Sequence, residues 1–141
     1  MMEAKKEKTL KELTEELTLR DEMLHENEKL FRSIFCLNPI PMCLTDEEGK
    51  YVQINRAFVE VAQVSEEEII GKLAVDSYEK PEDRQLVLEI LSTVGYVKNK
   101  PITFVKPNGC KIECSFSAKS VMYKSKPHII AVIVVKEEIC V

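Results

Sequence analysis

The chain has 141 residues, 45% hydrophobic and 31% charged, with a formal net charge of -4. That balance implies one globular domain with a modest core and argues against disorder, while basic residues interspersed with acidic ones argue against a nucleic-acid surface. No apolar run approaches the ~20 residues that cross a bilayer, the N-terminus lacks a secretory apolar segment, and the cysteines (Cys36, Cys43, Cys110, Cys114, Cys140) are odd in number without a Cys-x-x-Cys pair, so the expectation is a cytoplasmic protein with free, mostly packed thiols and no metal site.

From Met2 to about Asn38 there is no Gly or Pro, and Glu, Lys and Leu dominate. This predicts a long helix. Leu10, Leu13, Leu17, Leu24, Phe31 and Ile34 share one heptad seam, interrupted by Arg20 and Asn27. Two readings stay open: a coiled coil that dimerises, or an amphipathic helix packed on its own domain. Both can hold if residues 1–29 form a free helix and the domain proper runs over 30–141.

Asn38-Pro39-Ile40-Pro41 ends the helix, and Met42-Cys43-Leu44 reads as a first strand. Asp46-Glu47-Glu48-Gly49 is a tight turn, with an acid that bonds its own backbone and a Gly for positive φ. Tyr51-Val52-Gln53-Ile54 is a second strand. Asn55 stands where an N-cap belongs, ahead of Arg56 to Val61. Ser65-Glu66-Glu67-Glu68 is a capping box for a short helix stopped by Gly71. Leu73 to Lys80 shows no clean period.

Pro81-Glu82-Asp83-Arg84 opens another helix, with Leu86, Val87, Ile90, Leu91 and Val94 as its apolar face. A strand containing Ile102 and Phe104 follows. Lys106-Pro107-Asn108-Gly109 is a hairpin turn leading into an alternating strand from Lys111 to Lys119. A looser loop, Tyr123 to Pro127, precedes the last strand, Ile129 to Val135. The order implies an α+β domain: one antiparallel five-stranded sheet with helices on one face, preceded by a long N-terminal helix.

Several of these motifs, in this order, resemble the PAS domain, the sensory and docking module found in bacterial sensor kinases. They are Leu30 to Phe35 as an opening helix, Thr45-Asp46 with Gly49, Asn55-Arg56-Ala57-Phe58, Ser65 to Lys72 ending in Gly-Lys, Pro81-Glu82-Asp83, and Asn108-Gly109. The resemblance covers about Leu30 to Glu137. It departs at the end, where Val135-Lys136-Glu137-Glu138-Ile139 stands in place of the common Asp-Ile-Thr exit.

The resemblance implies a non-catalytic sensory or dimerisation module in signal transduction. It would be the input domain of a histidine kinase of a two-component system, or of a related regulator, passing its signal to an output domain or partner protein. The alternative is a pure protein–protein interaction module with a filled core and no ligand. No cofactor is expected. Haem-binding members place an axial His on the long helix, and Pro81 to Val94 has none; His25 and His128 are the only histidines. Flavin photosensors carry a Cys after the Gly-Lys helix, where this chain has Leu73 to Tyr78, and there is no Trp for redox flavin chemistry.

Catalysis needs a nucleophile and a base that meet. Cys114 and His128 fall on neighbouring strands but about 14 Å or more out of register, from strand rise. No catalytic residue is assigned. A ligand, if small and apolar, would sit between the sheet's inner face and the middle helices. The candidate lining is Met42, Leu44, Ile54, Phe58, Tyr78, Leu86, Ile90, Phe104, Cys114, Phe116 and Val132. Tyr78 and Cys114 are its only polar-capable members.

The strand Ile129 to Val135 is apolar on both alternations, so it should be central and buried on both faces. Assigning Val132 inward leaves Ile129, Ala131, Ile133 and Val135 outward. Their cover would be Leu30, Phe31 or Ile34, or a second copy of the chain. A homodimer through Leu10, Leu13, Leu17, Leu24, Phe31, Ile34 and Ile133 is the corresponding expectation.

Overall fold

The computed structural model describes residues 2–140, with side chains from Thr9 onward; Met1 and Val141, the outer bounds of the expected segments, lie outside the described residues. The elements are α1 (Met2–Leu37), β1 (Met42–Thr45), β2 (Tyr51–Ile54), α2 (Arg56–Ala62), α3 (Glu66–Ile69), a 3-10 turn (Ala74–Ser77), α4 (Pro81–Thr93), β3 (Tyr96–Val105), β4 (Lys111–Tyr123) and β5 (Lys126–Ile139). The helix expected at the N-terminus forms without a break. Along it Leu10, Leu13, Leu17, Leu24, Leu30 and Ile34 are exposed, while Phe31 stacks on Phe35 at 5.5 Å.

The strands form one antiparallel sheet in the order β2-β1-β5-β4-β3, which makes β5 central, as its unbroken apolar run implies. The buried cluster joins one face of this sheet to Phe58 of α2, Ala74 of the 3-10 turn, and Val87 and Leu91 of α4. The turn before β2 forms as read. Asp46 Oδ1 accepts from the Glu48 and Lys50 amides at 2.9 and 3.0 Å, and Gly49 takes φ 81°. Ser65 Oγ caps α3 by accepting from Glu68 N at 3.2 Å.

The face assignment of β5 is reversed. Ala131 and Ile133 are buried in the cluster, with Ile129 and Val135 packed against it. Val132 therefore lies on the opposite face, beside Met42 of β1, and Ile130 beside Leu44. The cause is parity: where both alternations are apolar, nothing in the strand itself says which side is inner. The same parity removes Met42 and Leu44 from the expected lining, since Cys43 rather than either of them joins the cluster. It also removes Ile133 from the expected dimer surface.

Two further elements differ from expectation. The loop expected over Tyr123 to Pro127 is a two-residue turn: Tyr123 pairs with Lys126, and Lys124 and Ser125 both take positive φ, 50° and 62°. Positive φ at both central positions is the hairpin geometry that Asn-Gly usually signals, and Lys-Ser hides it. On α4 the buried positions are Arg84, Val87 and Leu91. Leu86 is 41% exposed and Val94 59%, so neither belongs to the inner face. A cation takes the place that an apolar residue was expected to fill.

The thiols are corrected as well. Cys110 and Cys140 are joined in a disulfide across 30 residues. Cys36 is free and exposed; Cys43 and Cys114 are free and buried. Because β5 runs past its expected end at Val135 as far as Ile139, Cys140 comes to stand beside Cys110 at the start of β4. The bond also removes the argument for a reducing compartment that rested on free thiols. No helix among the described residues is long and apolar enough to cross a membrane.

Candidate functional site

Asn55 is the residue that assembles the helical side of the core. It caps α2 from a position only 1% exposed. Its Oδ1 accepts from Phe58 N at 3.0 Å and from Met42 N at 2.9 Å. Its Nδ2 donates to the Ile40 carbonyl at 2.9 Å and the Asn38 carbonyl at 3.4 Å. One amide thus ties the start of α2 to the strand entering the sheet, and that fixes Phe58 over the inner face.

Beside Phe58 lies a cavity of about 320 Å³. Its apolar wall includes Tyr51, Phe58, Val61, Ile69, Phe104, Ile112, Cys114 and Ile133; Glu68, Lys72, Asp76, Ser77 and Lys106 supply polar groups. Tyr51 OH donates to Ser77 Oγ at 3.2 Å, and burial pushes the Tyr51 phenol up. The Lys106 side chain is buried and ion-paired to Glu138. Tyr51 and Ile54 both reach the inner face because the β1–β2 pairing slips between Leu44 and Thr45. Such a bulge gives two residues to one on the partner strand and re-aims the side chain.

A second polar feature lies deeper. Arg84 reaches into the core and is 7% exposed. With Thr45, Cys43, Tyr78 and Phe116 it lines a void of about 10 Å³, room for one water-sized group. Thr45 Oγ1 is buried there without a hydrogen-bond partner. Burial pushes the Tyr78 phenol up and the Arg84 cation opposes this. Among the described residues Arg84 makes no ion pair with a carboxylate.

Of the expected lining residues, Phe58, Phe104 and Cys114 border the cavity. Tyr78 and Phe116 border the small void. Ile54 belongs to the buried cluster and Ile90 packs against it. Met42, Leu44, Val132 and Leu86 are elsewhere, as described above. Ile112 was legible, since it alternates in phase with Cys114 and Phe116. Lys106, Ser77, Lys72 and Arg84 had no such signal.

Cys114 pairs with Val135 and His128 with Val121, so the two are far apart along the hairpin. Burial pushes the Cys43 and Cys114 thiols up to about 12, and neither is a thiolate nucleophile at neutral pH. The Cys110 and Cys140 sulfurs and a Glu138 carboxylate oxygen lie within 4.8 Å of one another, but the sulfurs are bonded to each other.

Known structures share this architecture at low identity. The PAS domain of an HTR-like protein from Haloarcula marismortui superposes with a TM-score of 0.69 at 16% identity, covering 84% of this chain and 99% of that one. A PAS domain from a two-component sensor histidine kinase gives 0.68 at 11% identity, covering 79% and 98%. A domain of a sensory box sensor histidine kinase/response regulator from Geobacter sulfurreducens gives 0.64 at 16% identity, covering 79% and 96%. No curated protein matches the chain. The family model described as the PAS fold matches residues 29–137. With the sheet order and the helical face in agreement, the chain belongs to the PAS family.

Proposed function

We propose that the domain is a non-catalytic sensory module of signal transduction, of the kind that serves a sensor kinase or related regulator, and that it takes up a small, mostly apolar ligand. The cavity of about 320 Å³ beside Phe58 and Phe104 carries this reading. It is at the small end of the range for ligand sites and has the expected makeup, an apolar wall with a few polar groups. The structural neighbours named as histidine-kinase domains support the signalling half of the reading.

Native mass spectrometry and solvent extraction of the purified protein test the ligand, backed by melting curves with short alcohols, short carboxylic acids and monocyclic aromatics. The expected result is a co-purifying compound, or a probe that raises Tm by several degrees. A probe at about 100 times its Kd adds roughly 2.7 kcal/mol. Val61→Trp, which fills the cavity, should abolish the shift. No compound and no shift with any probe would favour the interaction module instead.

The exposed leucines of α1 support a homodimer through a second copy of the helix. Leu10, Leu13, Leu17 and Leu24 are 65%, 48%, 59% and 61% exposed. Burying such a side chain fully contributes roughly 1.5–3 kcal/mol. Light scattering should therefore find a dimer in the wild type and a monomer in Leu17→Asp/Leu24→Asp. A wild-type monomer at high micromolar concentration refutes the dimer.

A further inference from the structure

We propose that Cys110 and Cys140 form a reversible dithiol–disulfide latch on the end of β5. It is read by small thiols and dithiols, and it governs whether the strand end is held to the β3–β4 turn. The register of β4 on β5 carries the argument. From Tyr123↔Lys126 to Cys114↔Val135 the pairing runs without a break. It then slips: Glu113 faces Glu137, Ile112 faces Glu138 and Lys111 faces Ile139, leaving Lys136 as the extra residue of a bulge. Without the slip, Lys111 would face Glu138 and Cys110 would face Ile139. With it, the next rung outward sets Cys110 opposite Cys140, and their Cα atoms are 4.5 Å apart. That is the spacing of a non-hydrogen-bonded antiparallel pair, the rung on which side chains come closest.

The position suits a device more than a staple. Cys140 is exposed and Cys110 half-buried, so a solution thiolate has a path to the bond. The turn that Cys110 closes is tight, with Lys106 N donating to the Cys110 carbonyl at 2.8 Å and Cys110 N to Asn108 Oδ1 at 3.0 Å. The same turn supplies Lys106 and Pro107 to the cavity wall. On reduction the covalent tie is lost, while the Lys106–Glu138 ion pair two rungs inward still links turn and strand. The released segment is therefore short: the rungs outward of Glu138 fray, and the centre of β5 stays paired. The Lys106 ammonium on Glu138 also argues against a cation at this cluster, because it occupies the carboxylate and repels positive charge.

The chemistry is thiol–disulfide exchange. A dithiol reductant attacks one sulfur as a thiolate, forming a mixed disulfide and freeing the other cysteine. Its second thiol then closes the reductant's own disulfide. Two electrons and two protons pass from the dithiol to Cys110 and Cys140. A small disulfide such as glutathione disulfide runs the reverse, through a mixed disulfide that the second cysteine resolves.

Hydrogen exchange on the full, ligand-free chain, oxidised with glutathione disulfide and then reduced with dithiothreitol, tests the latch independently of any pocket ligand. Reduction should speed amide exchange at Ile139, the laddered amide outward of Glu138, at least tenfold and leave Ala131 to Ile133 unchanged. Reoxidation should restore both the slow exchange and a 110–140 cross-link on peptide mapping. Cys140→Ser and, separately, Cys110→Ser should exchange like the reduced protein and ignore the reductant. Unchanged exchange at Ile139 on reduction overturns the proposal. So does reoxidation that yields a bond to Cys36 or between two chains.

Discussion

Asn55→Ala should lower the stability of the domain by roughly 3–5 kcal/mol, since each buried donor or acceptor left unpaired costs about 1–3 kcal/mol. The substitution orphans the Met42 and Phe58 amides and the Ile40 carbonyl, all held at 2.9–3.0 Å by one side chain that is 1% exposed. Removing an N-cap alone typically costs about 1 kcal/mol, so the excess measures the tie to the strand entering β1. Asn55→Asp should be nearly as damaging. It keeps the two accepted bonds but aims carboxylate lone pairs at the Ile40 and Asn38 carbonyls from a buried site. Urea denaturation checks this through the midpoint at unchanged m. A loss below about 1 kcal/mol for the alanine variant, the ordinary cap value, would show that Asn55 acts only as a cap.

That contrast also shows what a sequence carries. Asn55 was legible as a cap because capping is local: the side chain and the amide it binds are three residues apart. Its bonds back to Ile40 and Met42 depend on β1 lying beside β2, which no local pattern encodes. The central place of β5 was legible because burial on two faces requires apolar residues at both parities. Its inner face was not, because that same uniformity erases the parity signal. Bulges had the widest effect. The slip between Leu44 and Thr45 turns Tyr51 inward, and the slip at Glu113/Cys114 aligns Cys110 with Cys140. Each is a single-residue event in strands whose composition is otherwise regular. Arg84 was hidden for another reason: charge is a poor prior for burial, so the Leu86 side of α4 looked like the inner face.

Phe104→Ala is the change expected to join stability to binding. The ring is 7% exposed and stands 4.7 Å from Tyr78 and 6.0 Å from Phe116. It also borders both the large cavity and the small void. Truncating a buried Phe costs roughly 3–5 kcal/mol, the upper part arising where the site cannot collapse. Collapse is difficult here, because the backbone of β3 is fixed by pairing with β4 through Phe104↔Ile112. The lost ring should therefore become ligand space that connects the two. Indole or naphthalene, each small enough for a cavity of about 320 Å³, should raise the Tm of the variant by more than that of the wild type, because the emptied ring position adds room for them. Phe104→Leu should cost less and show no such rescue. Melting curves of the three proteins with and without indole decide the matter. A variant that loses the stability but is rescued by no aromatic probe would mean that the wall relaxes inward and that Phe104 does not set the size of the site.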